Sequence, residues 1–585
     1  MSEETADEDV ASKVSELAKR RGFFFPASES YGGVAGFYTY GPEGAALKRN
    51  LEESWRERFA VEEGHQEVDA PTIMPEPVFE ASGHLDTFDD MLVECGECGE
   101  SHRADHLVED GTDIEEAEAM SIEAIETVIA DEGLVCPACG SPLAGEPVES
   151  FNLMFATNIG PGSSAPGYLR PETAQGIFVE FPRLAEYARN QLPFGVAQIG
   201  RAYRNEISPR RAIVRVRELT QAELEFFFDP ERDEPDLASV SDVELPLYPV
   251  DEQLDPDGEL RHLTVREAVD DGVVSEPWIA YYLGIAREWY EAIGVDMDRF
   301  RYRQHQPDER SHYASDCWDA ESEIDGDWIE LTGFAYRTDY DLAKHDEYAD
   351  DDYTVFRQYD DPQTVERPTV DPDMSVLGPE FGADAGAVAE GIERLAALDP
   401  GAFEDETVTV EADGEAYEVP IEATGFAVEE VTESGEHVTP HVVEPSFGVD
   451  RLVYTVLAHN YQEEEIDDGE RTVLELDPAV APTVVGVFPL MDKDGLGERA
   501  RELATDLRAA GVSVTYDDSG AIGRRYRRQD EIGTPFCVTV DYDTLEDETV
   551  TLRDRDSTEQ VRVRLADLPE TLLALRSGDS GFEEL

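Results

Sequence analysis

The sequence predicts an α+β protein: a large domain built around paired strands and interrupted by insertions, followed by a small α/β domain. Three observations carry this. The runs PFGVAQIGRAYRNEI and AIVRVRELTQAELEFFF are strand-like and are joined by the turn-rich link Ser208-Pro209-Arg210-Arg211. Beyond a compositional break at 465–480, short apolar strands alternate with an amphipathic helix (TVVGVFPL, ERARELATDLRAAG, VSVTYDD, FCVTVDY). A length of 585 residues with 41% hydrophobic content suffices for several sizeable cores.

In chain order, residues 1 to about 25 read as a polar helical lead-in. MSEETADEDV has neither the basic start nor the apolar core of a signal peptide, and no run approaches a membrane span of roughly 18 apolar residues. A cytoplasmic protein without membrane contact is expected. FPASESYGGVAGFYTYGPEG is a glycine-rich turn region, and a helix starts near Pro42. Segment 91–150 is a cysteine-bounded insertion with an acidic helical stretch, DIEEAEAMSIEAIETVIADEG. Its pairs Cys95-Gly-Glu-Cys98 and Cys136-Pro-Ala-Cys139 are each followed by glycine, and four thiolates suit a closed, structural, tetrahedral Zn²⁺ site. Reduced or redox-active thiols are the alternative. The remaining divisions are a core segment 151–228, an acidic, Pro-rich surface insertion 229–290, core 291–364, an insertion 365–440, core 441–465 and the α/β domain 475–585; residues 1–90 open the large domain.

Charge is the outstanding feature of the composition. There are 46 Lys+Arg against 133 Asp+Glu, a formal net charge of -87, with the acids spread along the chain. Self-repulsion at this density destabilises a fold unless salt screens it, which points to a halophilic, salt-rich cytoplasm. A binder of cationic partners is the rival, but would concentrate its acids in a block. Against this background Arg201–Arg217 holds six arginines and one acid, Glu206. That is either a chance surface cluster or a site for a multiply charged anion, which the arginine fork grips well.

Alternation in the second strand-like run puts Val214, Val216, Ala222, Leu224, Phe226 and Phe228 on one face and Arg215, Arg217, Gln221, Glu223 and Glu225 on the other. Arg204 and Glu206 share a face of the preceding run. Such a surface fits a ligand anionic at one end and cationic at the other; a salt-bridged sheet surface is the alternative. In EPSFGVDRLVYTVLAHNY, Val449, Leu452, Val453, Val456 and Leu457 follow helical spacing, so Arg451 lies in the first turn, off the apolar stripe.

RPETAQGIF (170–178), RNEISPR (204–210), VRVRELTQAELEFF (214–227), HYASDCWDAE (312–321), RTDYDL (337–342) and EPSFGVDR (444–451) together resemble the class II aminoacyl-tRNA synthetases, specifically the dimeric type of glycyl-tRNA synthetase. The likeness runs from SYGGVAGFYTYGPEG to GRRYRRQDEIGTPF and is weakest over 229–275 and 365–440. It implies an antiparallel-sheet catalytic domain, a C-terminal anticodon-binding domain, a homodimer through a motif near Val68–Pro75, and a ligase that uses ATP and Mg²⁺ to join glycine to tRNA(Gly). By resemblance Arg204 meets the α-phosphate with Asn205 beside it in the ATP site, Glu206 contacts adenine with Phe226 a candidate to stack on it, and Arg451 grips the γ-phosphate. Val214, Arg215, Val216, Arg217, Glu218, Leu219, Glu330, Leu331, Gly448, Val449 and Asp450 complete the ATP site. Glycine would be held by Glu172, Glu223 and Glu444, with Ser446 narrowing the site, Arg103 and Arg337 as substrate arginines, and Leu219, Thr220, Gln221, Ala222, Pro445, Phe447 and Gly448 around it. Arg524, Arg525, Tyr526, Arg527 and Arg528 would contact tRNA. A synthetase for threonine, proline or histidine, and a non-catalytic RNA-binding relative, are the competing readings. A Walker-type nucleotidase is excluded, since no GxxxxGK[ST] occurs.

Overall fold

In the computed structural model, nine strands form one sheet, and the arginine stretch joins two of them toward one edge. The structure describes all residues except 1–8, 113, 115–116, 118–119, 162–164, 210, 308–313, 405, 413 and 467–468. Arg210, His312 and Tyr313 of the quoted motifs, and part of the acidic stretch 113–133, therefore lie outside the described residues.

The strands are β1 (Gln66–Glu67), β2 (Phe194–Tyr203), β3 (Glu218–Phe228), β4 (Glu244–Tyr248), β5 (Arg261–Thr264), β6 (Phe300–Gln304), β7 (Asp316–Ile324), β8 (Asp327–Thr338) and β9 (His441–Gly448). Their spatial order is β5-β4-β6-β7-β8-β9-β3-β2-β1. Pairing is antiparallel except β1 with β2 and β4 with β6. The two predicted strand runs are β2 and β3, in register from Phe194 opposite Phe227 to Tyr203 opposite Glu218.

One sheet face is covered by helices α1 (Val10–Arg21), α2 (Pro42–Arg56), α3 (Pro277–Ala292) and α4 (Val449–His459). Trp55, Phe59, Trp289 and Phe447 interlock there at centroid distances of 4.7–5.8 Å. Such burial supplies most of the stability, at about 25 cal/mol per Å² of apolar surface. Helix α2 starts with Pro42 at its first turn, as expected, and abuts the preceding backbone so closely that a Cβ on Gly44 would lie 1.8 Å from the Phe23 carbonyl oxygen.

Two expectations change. Residues 214–217 are not strand: Arg211 and Ala212 take positive φ (55° and 53°), the chain turns, and β3 begins only at Glu218. Nor is 229–290 a surface insertion. It supplies β4, β5 and α3, whose Leu245, Leu247, Ile279, Tyr282, Leu283 and Ile285 are fully buried. Acids crowd the exposed positions of this segment and mask its apolar ones.

The C-terminal domain has a five-stranded sheet of β10 (Val485–Pro489), β11 (Val514–Tyr516), β12 (Phe536–Val540), β13 (Thr549–Asp554) and β14 (Gln560–Arg564), ordered β11-β10-β12-β13-β14. Its first three strands are parallel, as strand–helix alternation requires. Helices α5 (Leu496–Ala509), α6 (Ile522–Asp530) and α7 (Leu568–Ser577) accompany the sheet, with a short helix, Tyr542–Asp547, between β12 and β13.

Residues 354–438 form a separate compact unit, close to the 365–440 insertion expected. A long two-stranded ribbon, Val355–Thr369 with Ala427–Val438, carries helices Met374–Phe381 and Ala385–Leu398 and a hairpin, Thr407–Ala412 with Glu415–Pro420. Leu377, Val388, Ile392, Val410 and Val419 make its own core.

Candidate active site

The open face of β3, β8 and β9 holds a cavity of about 220 Å³. Alternation on β3 separates the roles as expected: Ala222, Leu224, Phe226 and Phe228 enter the core, while Gln221 and Glu223 face the cavity. Strand β9 pairs with β3 so that Ser446 sits opposite Glu223, and with β8 so that Glu444 sits opposite Ala335.

One cluster in the cavity is acidic. The carboxylate of Glu223 accepts hydrogen bonds from Ser446 Oγ (2.6 Å), Gln221 Nε2 (2.8 Å) and Thr173 Oγ1. Glu172, from RPETAQGIF, accepts from Gln175 Nε2 at 3.0 Å and lies 3.4 Å from His84 Nε2. Arg337 Nη1 donates to Glu444 Oε2 at 2.6 Å, and the rest of its guanidinium is spent on Asp341. Burial opposes the charge of Glu172, but His84 and then Arg337 outweigh it and hold the carboxyl well below its ordinary range. Burial pushes Glu444 up to about 8, Glu223 and Glu172 adding to burial and Arg337 opposing it. Burial and Glu172 raise Glu223, and burial and Glu444 raise Glu225 well above normal. Four carboxyls thus share few cations. A small ammonium ion would supply the missing charge.

The second cluster carries arginines. Arg204 lines the cavity, its Nε donating to the Pro171 carbonyl at 3.2 Å and its guanidinium 5.6 Å from the Phe88 ring centroid. Helix α4 has Gly448 as its N-cap and puts Arg451 in the first turn, where it meets the Glu330 carboxylate at 2.9 Å and the Glu330 and Val214 carbonyls. Arg451 drives the Glu330 carboxyl down to about 2. Asp450 orients this corner by accepting from the Thr220 N–H (2.5 Å) and Tyr40. Glu206 lies 3.4 Å from Arg215 Nε, and its buried Oε2 accepts no hydrogen bond among the described residues. Val214, Val216, Leu219, Thr220, Leu331 and Gly448 also line the cavity.

Several expected residues lie elsewhere. Phe226 cannot stack on a nucleotide: it sits in the core, 4.3 Å from Trp278 and 5.8 Å from Tyr282, because it shares the face of Leu224. Ala222, Phe447 and Val449 are also core, and Pro445 is buried within β9. Arg337 stands behind Glu444, 1% exposed, and positions that carboxylate. Arg103 belongs to the other cluster, pairing with Asp105 and with Asp90 (3.2 Å), whose other charged neighbours include Glu206 and Arg215. Arg217 donates to the Glu206 and Ala35 carbonyls, Glu218 faces Arg201 at 3.6 Å, and the Asn205 N–H donates to Leu153. The cavity also includes His305, Cys317 and Asp319, and the acidic cluster includes His84 and Glu225; the sequence gives none of them a site role, although Cys317 and Asp319 lie in HYASDCWDAE and Glu225 on the polar face of β3. Strand alternation could have found Glu225; His84 gave no signal.

Away from the cavity, the four cysteine sulfurs lie within 4.8 Å of one another, with Cys95–Cys139 and Cys98–Cys136 both at 3.7 Å. Gly99 and Gly140 take positive φ (76° and 75°) and donate back to the Cys95 and Cys136 carbonyls, closing two matching turns. On α6 Arg525 is buried and donates to the Pro489, Asp518 and Gly520 carbonyls, so it cannot reach RNA. Arg528 is held by Asp517 and Ser519, and Tyr526 by Thr539; Arg524 is exposed and Arg527 half-buried.

A family model described as "Anticodon binding domain" matches residues 484–575. The chain is 48% identical over 580 residues to the glycine--tRNA ligase of Methanothrix thermoacetophila, covering 98% of this chain and 99% of that relative. It is 47% identical over 576 residues to that of Archaeoglobus fulgidus (98% of each chain) and 45% over 578 residues to that of Methanocaldococcus jannaschii (97% and 99%). Among solved structures, prolyl-tRNA synthetase from Cryptosporidium parvum, complexed with L-proline and AMP, aligns with TM-score 0.50 and 12% identity over 98% of this chain and 77% of that one. At that identity the likeness concerns the fold alone.

Proposed function

The chain belongs to the glycine--tRNA ligase family, and from that premise we propose how its cavity performs the reaction. It is an aminoacyl-tRNA ligase that activates glycine with ATP to glycyl-adenylate and pyrophosphate, then transfers glycine to the 3′ end of tRNA(Gly). The observation that carries the site assignment is the meeting of buried carboxyls and arginines in one small cavity.

In this reading Glu172, Glu223 and Glu444 surround the glycine ammonium, and Ser446 and Gln221 hold Glu223 in place. Anchoring the ammonium directs the glycine carboxylate toward the arginines. Arg204 faces the α-phosphate and offsets the charge that grows as the carboxylate oxygen attacks and pyrophosphate leaves. Arg451, freed from Glu330, takes the γ-phosphate, and Glu206 accepts from the adenine amine. No protein nucleophile is needed; catalysis is positioning and preorganised charge. Glu330 is the carboxylate that would hold Mg²⁺, which would supply positive charge to offset that of the triphosphate. Selection of glycine rests on exclusion, because a larger side chain must displace packed, hydrogen-bonded walls.

The four cysteines fit a structural Zn²⁺: four thiolates suit a tetrahedral site, the sulfurs converge, and the Glu100 and Ser141 backbone N–H groups donate to the Cys98 and Cys139 sulfurs. Arg524 and Arg527 are the α6 residues best placed for tRNA. We further assign a cytoplasmic homodimer, which a light-scattering mass near that of one 65.0 kDa chain would disprove.

The test is amino-acid-dependent ATP–pyrophosphate exchange in concentrated KCl, with glycine beside alanine, serine, threonine and proline. Exchange with glycine alone is expected, reduced about 100-fold or more in Arg204→Ala. Exchange with another amino acid, or an unaffected Arg204→Ala enzyme, would sink the site assignment.

A further inference from the structure

We propose that His305, Cys317 and Asp319 form a binding site for a thiophilic divalent cation of the Zn²⁺ type, in the wall of the cavity and separate from the four-cysteine site. Cys317 and Asp319 are two residues apart on β7 and therefore face the same side of the sheet. His305 follows β6, the neighbouring strand, and its backbone N–H donates to the Cys317 carbonyl at 2.9 Å, which fixes it beside them. One donor atom from each of the three lies within 4.8 Å of the others, and His305 Nε2 is 2.6 Å from Asp319 Oδ2. The strands that hold the donors are paired on both sides, so the set is preorganised.

The donor types select the ion. Imidazole, thiolate and carboxylate bind Zn²⁺ and related metals, whereas Mg²⁺ takes oxygen ligands in an octahedron. Thiolate and carboxylate together balance a divalent charge, so the loaded cluster is neutral. Three protein ligands leave one tetrahedral position, and all three residues line the cavity, so that position is available to a ligand there. Opposite Asp319 on β8 stands Gly333, where a Cβ would come 3.7 Å from Asp319 Oδ1. The competing explanation is a plain His305–Asp319 ion pair beside a bystander thiol.

The experiment titrates the full-length protein, in KCl buffer, with Co²⁺ as a spectroscopic stand-in for Zn²⁺. In Cys98→Ser/Cys139→Ser, both exposed positions in the other site, one equivalent of Co²⁺ should bind with a sulfur-to-cobalt charge-transfer band of single-thiolate intensity. Adding Cys317→Ser should remove the band, and Asp319→Asn should weaken binding at least tenfold. Should the double-serine protein fail to fold, wild type and Cys317→Ser are compared directly, and the variant should bind one Co²⁺ fewer. Equal stoichiometry in that pair, or no charge-transfer band in the double-serine protein, overturns the proposal.

Discussion

Glu444 has too little positive charge around it. Its carboxyl titrates at about 8 in the folded protein against an ordinary 4.5. Between those values the folded chain binds a proton that the unfolded chain does not, so this group's contribution to stability falls as pH rises through that window. A bound ammonium reverses the balance by favouring the ionised form. Glycine binding should therefore weaken as pH drops below about 8, with KM for glycine rising up to about tenfold per pH unit. Steady-state kinetics between pH 6.5 and 8.5 would show this, and Glu444→Gln should flatten the profile. A flat profile in the wild type would mean that Glu444 does not face the ammonium. The residue scale also shows which side chains the sequence made legible. Arg204, Glu206, Glu223 and Arg451 stood out as charges at the edges of apolar patterns. Phe226 is the reverse case: alternation already puts it on the apolar face with Leu224, and only the resemblance gives it a stacking role.

Helix α6 shows how an element divides its charges. Its four arginines look equivalent in GRRYRRQDEIG. A helix presents them in different directions, and Arg525 turns inward to close the carbonyls of Pro489, Asp518 and Gly520. Arg525→Ala should leave those acceptors unsatisfied and lower the stability of the C-terminal domain by roughly 2–4 kcal/mol, read from urea midpoints. The double variant Arg524→Ala/Arg527→Ala should leave the midpoint unchanged and raise KM for tRNA. If Arg525→Ala instead altered only tRNA binding, the buried geometry would be wrong. At the same scale, residues 229–290 look like an insertion in sequence because acids and prolines are dense along their first half. Only its pairing into the main sheet, through β4 and β5, and the burial of α3 reveal it as core.

A net charge of -87 on one chain sets the behaviour of the whole molecule. The separate unit 354–438 has three arginines among 22 acids, which makes it a poor surface for a polyanion and a well-solvated one in salt. Screening by salt should therefore raise thermal stability. The melting temperature is expected to climb steadily as KCl is raised toward molar concentrations, and to climb less in a variant with surface acids replaced by Gln or Asn. A melting temperature independent of KCl would contradict the reading of the acids as a salt adaptation.

What the sequence determined by itself is the family, the α+β plan, the cysteine quartet and the main charged residues that line the cavity. These are encoded in local spacing and in motif order, which survive without coordinates. What only the tertiary structure decided is which charges are available to a ligand. Arg337 and Arg525 are consumed by the distant Glu444 and Pro489, Arg103 by the nearer Asp105 and Asp90, Glu444 is left short of a cation, and His305 is brought to Cys317 and Asp319 by strand pairing. The physical reason is that a charge acts through its surroundings. Desolvation and the nearest opposite charge fix its state, and both depend on contacts between strands and helices that the linear order does not contain.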